Sequence, residues 1–428
     1  MTWTNTASSA ACSNRMHGNG ASPQRGAAFL RKGGRNIKQP FSWDTARITA
    51  VQVAYWASFC AVMSYATVFL LSLGYSSAAA GAIIAAGNLA GILFQPLCAG
   101  LVPRAGSARA VVLGMALALA ALAGALCLVN GQAPVCAALI VLMYGLLYTM
   151  QGLLNAIAME LSNAGRRLDF GFARGMGSFG YAVCSWAVGA FTAARGVGVM
   201  PLVHLVLLAA LGLSLLLLPG ANGQVVHRTA HREQGPLAVL KSDRAFRPVL
   251  ASCIGLFMGY NLNITYMIQT VTARGGTSGD MGAVFAIAAA LELPAMTLAG
   301  RLLRSRSAGT LMFCSGLGLT AKSLVIALSG GLAGVYAAQF LQPLGYALVI
   351  PCTVYYANRA FPPHRRLAGQ TLMVAASTLG TVLSAALGGV LIDALGVRAM
   401  LLFAAAISAA GTLGLFFFAR GRAEPLES

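Results

Sequence analysis

Twelve apolar stretches of about 20 residues or more follow one another along this 428-residue chain, near 46–73, 78–102, 108–130, 134–161, 170–194, 199–218, 247–273, 279–303, 308–329, 333–358, 367–394 and 398–419. At about 1.5 Å per helical residue, each can cross about 30 Å of hydrocarbon. Closed β-barrels also satisfy the backbone in lipid, but their strands run about 10 residues with alternating polarity, a pattern not seen here. Composition agrees. Hydrophobic residues make up 58% and charged residues 9%, against about 45–50% and about 25% in ordinary globular chains. A soluble enzyme, a disordered chain and a fibrous repeat are excluded. The expected fold is an all-α membrane protein: twelve transmembrane helices in two pseudo-symmetric six-helix bundles. It is multi-pass and surrounded by the lipid bilayer.

The net charge of +19 is an orientation label rather than a nucleic-acid signal, because the bases fall between apolar segments. Arg174 and Lys322 lie inside spans. Of the remaining 27 bases, 24 lie in the tails and after even-numbered spans, and only Arg195, Arg274 and Arg398 lie opposite. The positive-inside rule then places both termini in the cytoplasm, with the chain in the cell (inner) membrane. Residues 1–45 read as a disordered basic cytoplasmic tail. They lack the apolar core of about 7–15 residues that a secretory signal needs, and Met16 offers an alternative start. Residues 46–218 and 247–419 read as the two bundles, 219–246 as a cytoplasmic linker and 420–428 as a second tail. An offset of 200 residues supports the division. It pairs Arg104 with Arg304, Ser107-Ala108 with Ser307-Ala308, Gly180 with Gly380, Gly189 with Gly389 and Gly196 with Gly396. Two similar halves around a central site are a recurrent plan of secondary transporters.

Against so few charges, three stand out. Of ten carboxylates only Glu292 falls deep inside a span. Such an acid costs about 2.5–3.5 kcal/mol on insertion scales, so it is expected to face the interior. Pro294 beside it lacks an amide donor and implies a locally opened helix. Lys322 is the matching base. Glu292 lies about 16 Å and Lys322 about 21 Å from the inner ends of their spans, so their depths are close. A pair of this kind is either a proton switch or a fixed salt bridge. Arg174, near the start of span 5, either snorkels to headgroups or serves a site.

Other signals are bland. The patterns Gly87…Gly91, Gly171…Gly175 and Gly255…Gly259 imply close helix packing. The nine cysteines are scattered, with no metal or redox spacing. His204, alone in an apolar span, reads as a lipid-edge or packing residue. There is no GxxxxGK[ST] loop, GxSxG elbow or HExxH helix. Neither an enzyme, a metal site nor a cofactor is expected. A sensor would need an output domain, which the 28-residue central loop 219–246 does not supply.

The sequence resembles the major facilitator superfamily over about residues 46–419, and within it the lactose permease, nucleoside symporter and sugar-efflux branches. Gly91-Ile92-Leu93-Phe94-Gln95-Pro96-Leu97 is similar to the end of span 2 in lactose permease. The shortened loop Gly100-Leu101-Val102-Pro103-Arg104-Ala105-Gly106 resembles the superfamily's signature loop, with Pro103 in the usual Asp position. The resemblance implies a gating role for Gly100, Arg104, Gly106 and Arg109. Phe170-Gly171-Phe172-Ala173-Arg174 resembles the segment whose arginine binds sugar, and Tyr181 falls where an aromatic ring stacks on it. In the second half Lys322, Gln342 and Gly345 fall on the permease's buried arginine, histidine and proton-carrying glutamate, and Ala289 falls on its substrate glutamate. Asn261 and Ala156 replace further acids, and Asn155 partly substitutes. Leu291-Glu292-Leu293-Pro294-Ala295-Met296 looks more like sugar-efflux transporters.

The resemblance implies a monomeric secondary active transporter. Its substrate would be a small polar solute, saccharide or nucleoside-like, moved by alternating access with protons as the coupling ion. Arg174, Glu292, Lys322, Asn155, Tyr181, Asn261 and Gln342 would bind substrate, and Glu292 would carry the proton. The alternative is a multidrug or sugar efflux pump on the same fold. Two bases against one acid argue against cationic drugs.

Overall fold

The computed structural model describes residues 42–129, 131–166, 168–219 and 235–420. Most of the two tails and of the central linker, including His227, Arg228, His231 and Arg232, lies outside the described residues. The described chain is helical throughout and forms twelve spans. They are α1 (Trp43–Ser72), α2 (Ser77–Ala105), α3 (Ala108–Leu128), α4 (Ala133–Asn163), α5 (Phe170–Arg195), α6 (Met200–Leu216), α7 (Phe246–Thr265, continued by Met267–Thr272), α8 (Ser278–Ser305), α9 (Ala308–Leu328), α10 (Leu332–Ala360), α11 (Arg366–Leu395) and α12 (Val397–Phe418). Ten of them are long and apolar enough to cross a membrane on composition alone; α5 and α7 are not. Those two carry Arg174, or Asn261, Asn263 and Gln269, polar residues that turn into the bundle instead of toward lipid.

The 200-residue repeat is written into the helix ends. α3 and α9 occupy 108–128 and 308–328, each 21 residues. Each starts at a serine whose hydroxyl accepts an amide of the first turn, Ala110 on Ser107 at 3.1 Å and Thr310 on Ser307 at 3.2 Å. This side-chain cap satisfies one of the amides that a helix start leaves orphaned. Gly196 and Gly396 take the left-handed φ values of 80° and 84° at the turns that follow α5 and α11, a conformation glycine reaches without a Cβ penalty.

α1 and α7 are both interrupted, at Ser64-Tyr65 and at Tyr266. Each break carries a fully buried tyrosine. Tyr65 donates to the Ser185 carbonyl and Tyr266 to the Ala385 carbonyl, both at 2.5 Å. These acceptors are themselves 200 residues apart.

The halves meet along two seams, α5 against α8 and α2 against α11. Both depend on glycine. A Cβ on Gly189 would lie 2.9 Å from the Cα of Gly282, and one on Gly389 only 2.5 Å from the Ser77 carbonyl carbon. Ser185 also donates across the first seam to the Gly282 carbonyl at 3.0 Å. Across the second, the Asp393 carboxylate accepts the Ser77 and Ala78 amides at 3.1 and 2.7 Å, capping the start of α2 from the other half.

Several expectations need correction. α2 continues to Ala105, so the expected loop 100–106 is mostly helix and the turn is only Gly106-Ser107. The helix carries Pro96 and Pro103 inside it; each removes one ladder bond and crowds the carbonyl one turn back, while the remaining bonds of the 29-residue helix hold it together. Likewise α8 runs through Pro294 without a break; the opened helix is α10, interrupted between Ala338 and Tyr346. Of the three GxxxG patterns, Gly87 and Gly91 seat Tyr144 and Tyr148, and Gly255 and Gly259 meet α12 near Ile407 and Ala404. Gly171 meets no neighbouring helix within 4 Å, and Gly175 only the Leu293 side chain. Of the two readings of His204, lipid edge or packing, the structure selects packing. His204 is fully buried, with Nδ1 3.0 Å from the Ser58 hydroxyl on α1.

Candidate functional site

A cavity of about 410 Å³ lies between the halves. Helical spacing builds its walls. Tyr144, Tyr148 and Gln151 on α4, Arg174, Ser178 and Tyr181 on α5, and Phe285, Ala289 and Glu292 on α8 each recur at three- or four-residue steps, with Ala288 beside Ala289. Such steps place side chains on one helix face. Trp56 and Ser64 from α1, Asn88 from α2, Tyr260 and Asn261 from α7, and Gln342 and Tyr346 from α10 complete the ring.

In the first half the guanidinium carbon of Arg174 lies 4.0 Å from the centroid of the Trp56 ring. One guanidinium face is spent on the indole, a cation–π contact, and its N–H edge is left for the cavity. Trp56 is itself held by a hydrogen bond from its Nε1 to Gln52 at 3.1 Å. Tyr181 is positioned by a 2.7 Å hydrogen bond with the Ser64 hydroxyl, at the break in α1.

In the second half a chain of three residues spans the wall. Lys322 Nζ donates to Gln342 Oε1 at 2.5 Å, and Gln342 Nε2 donates to Glu292 Oε1 at 2.6 Å. The amide offers its acceptor to the cation and its donor to the anion, the orientation that its two partners dictate. Gln342 Nε2 also lies 3.2 Å from the Tyr260 hydroxyl. The break in α10 makes this possible, because Gln342 sits in the turn between its two helical pieces. The Gly345 carbonyl, which accepts the Leu348 and Val349 amides where the second piece begins, also accepts the Ser315 hydroxyl at 2.6 Å. Irregular backbone at membrane depth is tolerated where it is buried in protein or lines a cavity. Tyr260 and Tyr346 stack with ring centroids 4.4 Å apart.

The sequence-derived residues are therefore distributed unevenly. Arg174, Tyr181, Asn261, Glu292 and Gln342 line one cavity. Lys322 does not. It is 2% exposed and sits behind Gln342, to which it is hydrogen-bonded, and its Nζ lies 5.9 Å from the centroid of the Tyr260 ring. The direct Glu292–Lys322 pair expected from their depths is replaced by this bridge. Asn155 is not on the cavity wall; Gln151, one turn earlier on α4, is. Trp56, Tyr148, Tyr260 and Tyr346 were not singled out by sequence, where aromatic residues in apolar spans look like ordinary packing. The readable signal was the Tyr144–Tyr148–Gln151 spacing, a polar face in an apolar helix. Of the four gating-loop residues, Arg109 donates to the Leu216 and Leu218 carbonyls at 2.8 and 2.9 Å and so caps the end of α6. Gly100 and Arg104 are exposed within α2, and Gly106 ends that helix with φ 74°.

The arrangement resembles transporters of known structure. Similarity extends to a mutant form of a nucleoside transporter, NupG (TM-score 0.75, 15% identity, 87% of this chain and 99% of that one). It extends also to a D-xylose-proton symporter (0.66, 15%, 87% and 97%). A third match is the xylose transporter XylE from E. coli in an inward-open conformation (0.64, 14%, 87% and 95%). At these identities the likeness concerns the fold alone. No curated protein matches the chain by sequence. The family described as MFS_1 like matches residues 46–404. With twelve spans in two repeated halves around a central cavity, the chain belongs to the MFS_1-like family and is a multi-pass secondary transporter, not an enzyme.

Proposed function

We infer that this protein moves a small polar ring solute, saccharide or nucleoside-like, by alternating access and couples that movement to protons through Glu292. The observation that carries the reading is the cavity itself. It holds one cation, Arg174, and one acid, Glu292, on opposite halves, between aromatic rings suited to the apolar face of a sugar or base. The nucleosides and D-xylose named for the structural relatives support this substrate range. The glycine seams shut the cavity at the end where α1 runs into α2, and rocking of one half on the other would open that end. The protein acts as a monomer in the inner membrane, with both termini cytoplasmic, residues 46–218 and 247–419 as its moving halves and 219–246 as their linker.

Counterflow in proteoliposomes over a panel of labelled sugars and nucleosides tests the reading. At least one solute is expected to exchange. A pH gradient is expected to drive its accumulation in the wild type and not in Glu292→Gln, which should retain exchange only. Undiminished gradient-driven accumulation in Glu292→Gln would remove Glu292 from coupling.

A further inference from the structure

The two charges that line the cavity are partnered unequally. Glu292 is tied to Lys322 through a single amide, so its charge is answered within the second half. Arg174 has no such answer. Among the described residues no carboxylate oxygen lies within 4.0 Å of it, and it donates no hydrogen bond to the protein. It lies against the Trp56 ring face at 4.0 Å, and Glu292 faces it from the other half of the cavity without touching it. No acid of α4 lines the cavity: Asn155-Ala156 carries no charge, and the cavity-facing residues of that helix, Tyr144, Tyr148 and Gln151, are neutral. A guanidinium between the halves of a membrane protein is stable only with water or a counter-charge, and its fork of parallel N–H donors matches a planar oxyanion.

We propose that the missing counter-charge is carried by the substrate: the transported solute is a ring compound bearing one carboxylate, of the uronate type, whose carboxylate docks on Arg174. This rests on the transport reading above and narrows its substrate class. A single carboxylate fits better than a phosphate monoester. One excess positive charge remains when Arg174, Lys322 and Glu292 are all ionised, and a dianion would reverse that imbalance instead of cancelling it. The ring of the solute then lies between Tyr181 and the stacked Tyr260–Tyr346 pair, and its hydroxyls face Asn261, Gln151 and Glu292.

The test is paired competition in counterflow with purified protein. D-glucuronate and D-galacturonate are compared with D-glucose and D-galactose, and with the corresponding uronamides, which keep shape and lose charge. Wild-type protein should prefer the acids by about 10- to 100-fold, the scale of hydrogen bonds to charged groups. Arg174→Gln should bring that ratio close to one. Arg174→Lys, which keeps the charge without the fork, should restore part of it and shows that the site still folds. Equal or better competition by the neutral sugars overturns the proposal and leaves the transport reading intact. A preference for the acids that persists in Arg174→Gln removes Arg174 from the role. Failure of any sugar or nucleoside, acid or neutral, to exchange overturns both readings.

Discussion

The Asp393 carboxylate is a latch between the halves, and its strength can be worked from its geometry. It accepts the Ser77 and Ala78 amides, at 3.1 and 2.7 Å, at the first turn of α2. Asp393→Asn keeps the shape but removes the negative charge from a helix N-terminus and leaves one oxygen for two donors. Helix caps contribute about 0.5–2 kcal/mol, and a charge at a helix end about 0.3–1 kcal/mol where exposed. Asp393 is exposed, so solvent screening places the loss near the low end of these ranges, about 0.5–1.5 kcal/mol. The latch exists only while the α2–α11 seam is shut, so the loss falls on the shut state alone. The population open at that end should rise by about 2- to 12-fold, since about 1.4 kcal/mol corresponds to a factor of ten. The assay is labelling by a membrane-impermeant maleimide in a background with the native cysteines replaced. Ser185→Cys reports on opening, because Ser185 is fully buried at the other seam and donates across it to the Gly282 carbonyl. Faster labelling in Asp393→Asn, more so in Asp393→Ala, is expected. The difference should shrink at high salt, which screens an exposed charge. Equal labelling rates at low salt in all three proteins would refute the latch.

Other predictions follow from neighbouring contacts. Gly389→Val should wedge the same seam apart, because even its Cβ would come within 2.5 Å of the Ser77 carbonyl carbon; faster Ser185→Cys labelling together with loss of counterflow is the expected pair of results. Gln342→Leu removes the amide between Lys322 and Glu292 and leaves two charged groups without their shared partner, so it should destabilise by about 1–3 kcal/mol. A melting temperature in detergent that stays at the wild-type value would contradict the bridge. Tyr65→Phe and Tyr266→Phe each delete one buried hydrogen bond to a backbone carbonyl, worth about 0.5–1.5 kcal/mol. Their melting shifts should be of similar size and add in the double variant, and a shift from only one of them would count against equivalence of the two breaks.

How far the fold could be read in advance depends on which physical constraint wrote it. The bilayer imposes a length on each span and a polarity on its surroundings, and both are properties of the one-dimensional chain. Twelve spans, the 200-residue repeat and the rarity of buried charge were therefore open to inspection. The turns at Gly196 and Gly396 and the caps at Ser107 and Ser307 are local, and their repeat in sequence became a repeat in structure. The site was legible only in part. Arg174 and Glu292 stood out because charge is costly in hydrocarbon, and both line the cavity.

What tertiary structure alone decided was facing and bridging. Each residue turns a helix by about 100°, so one turn or one register step decides whether a side chain meets cavity or neighbour. That is why Gln151 and not Asn155 lines the site, and why Lys322, at a depth close to that of Glu292, sits behind Gln342 instead of beside the acid. The break in α10 that lets Gln342 reach both groups, and the cap that Asp393 lends to a helix more than 300 residues earlier, are agreements between distant segments. Hydropathy records how deep a residue lies. It carries no record of which partner waits there, because that depends on how twelve helices rotate and pack against one another.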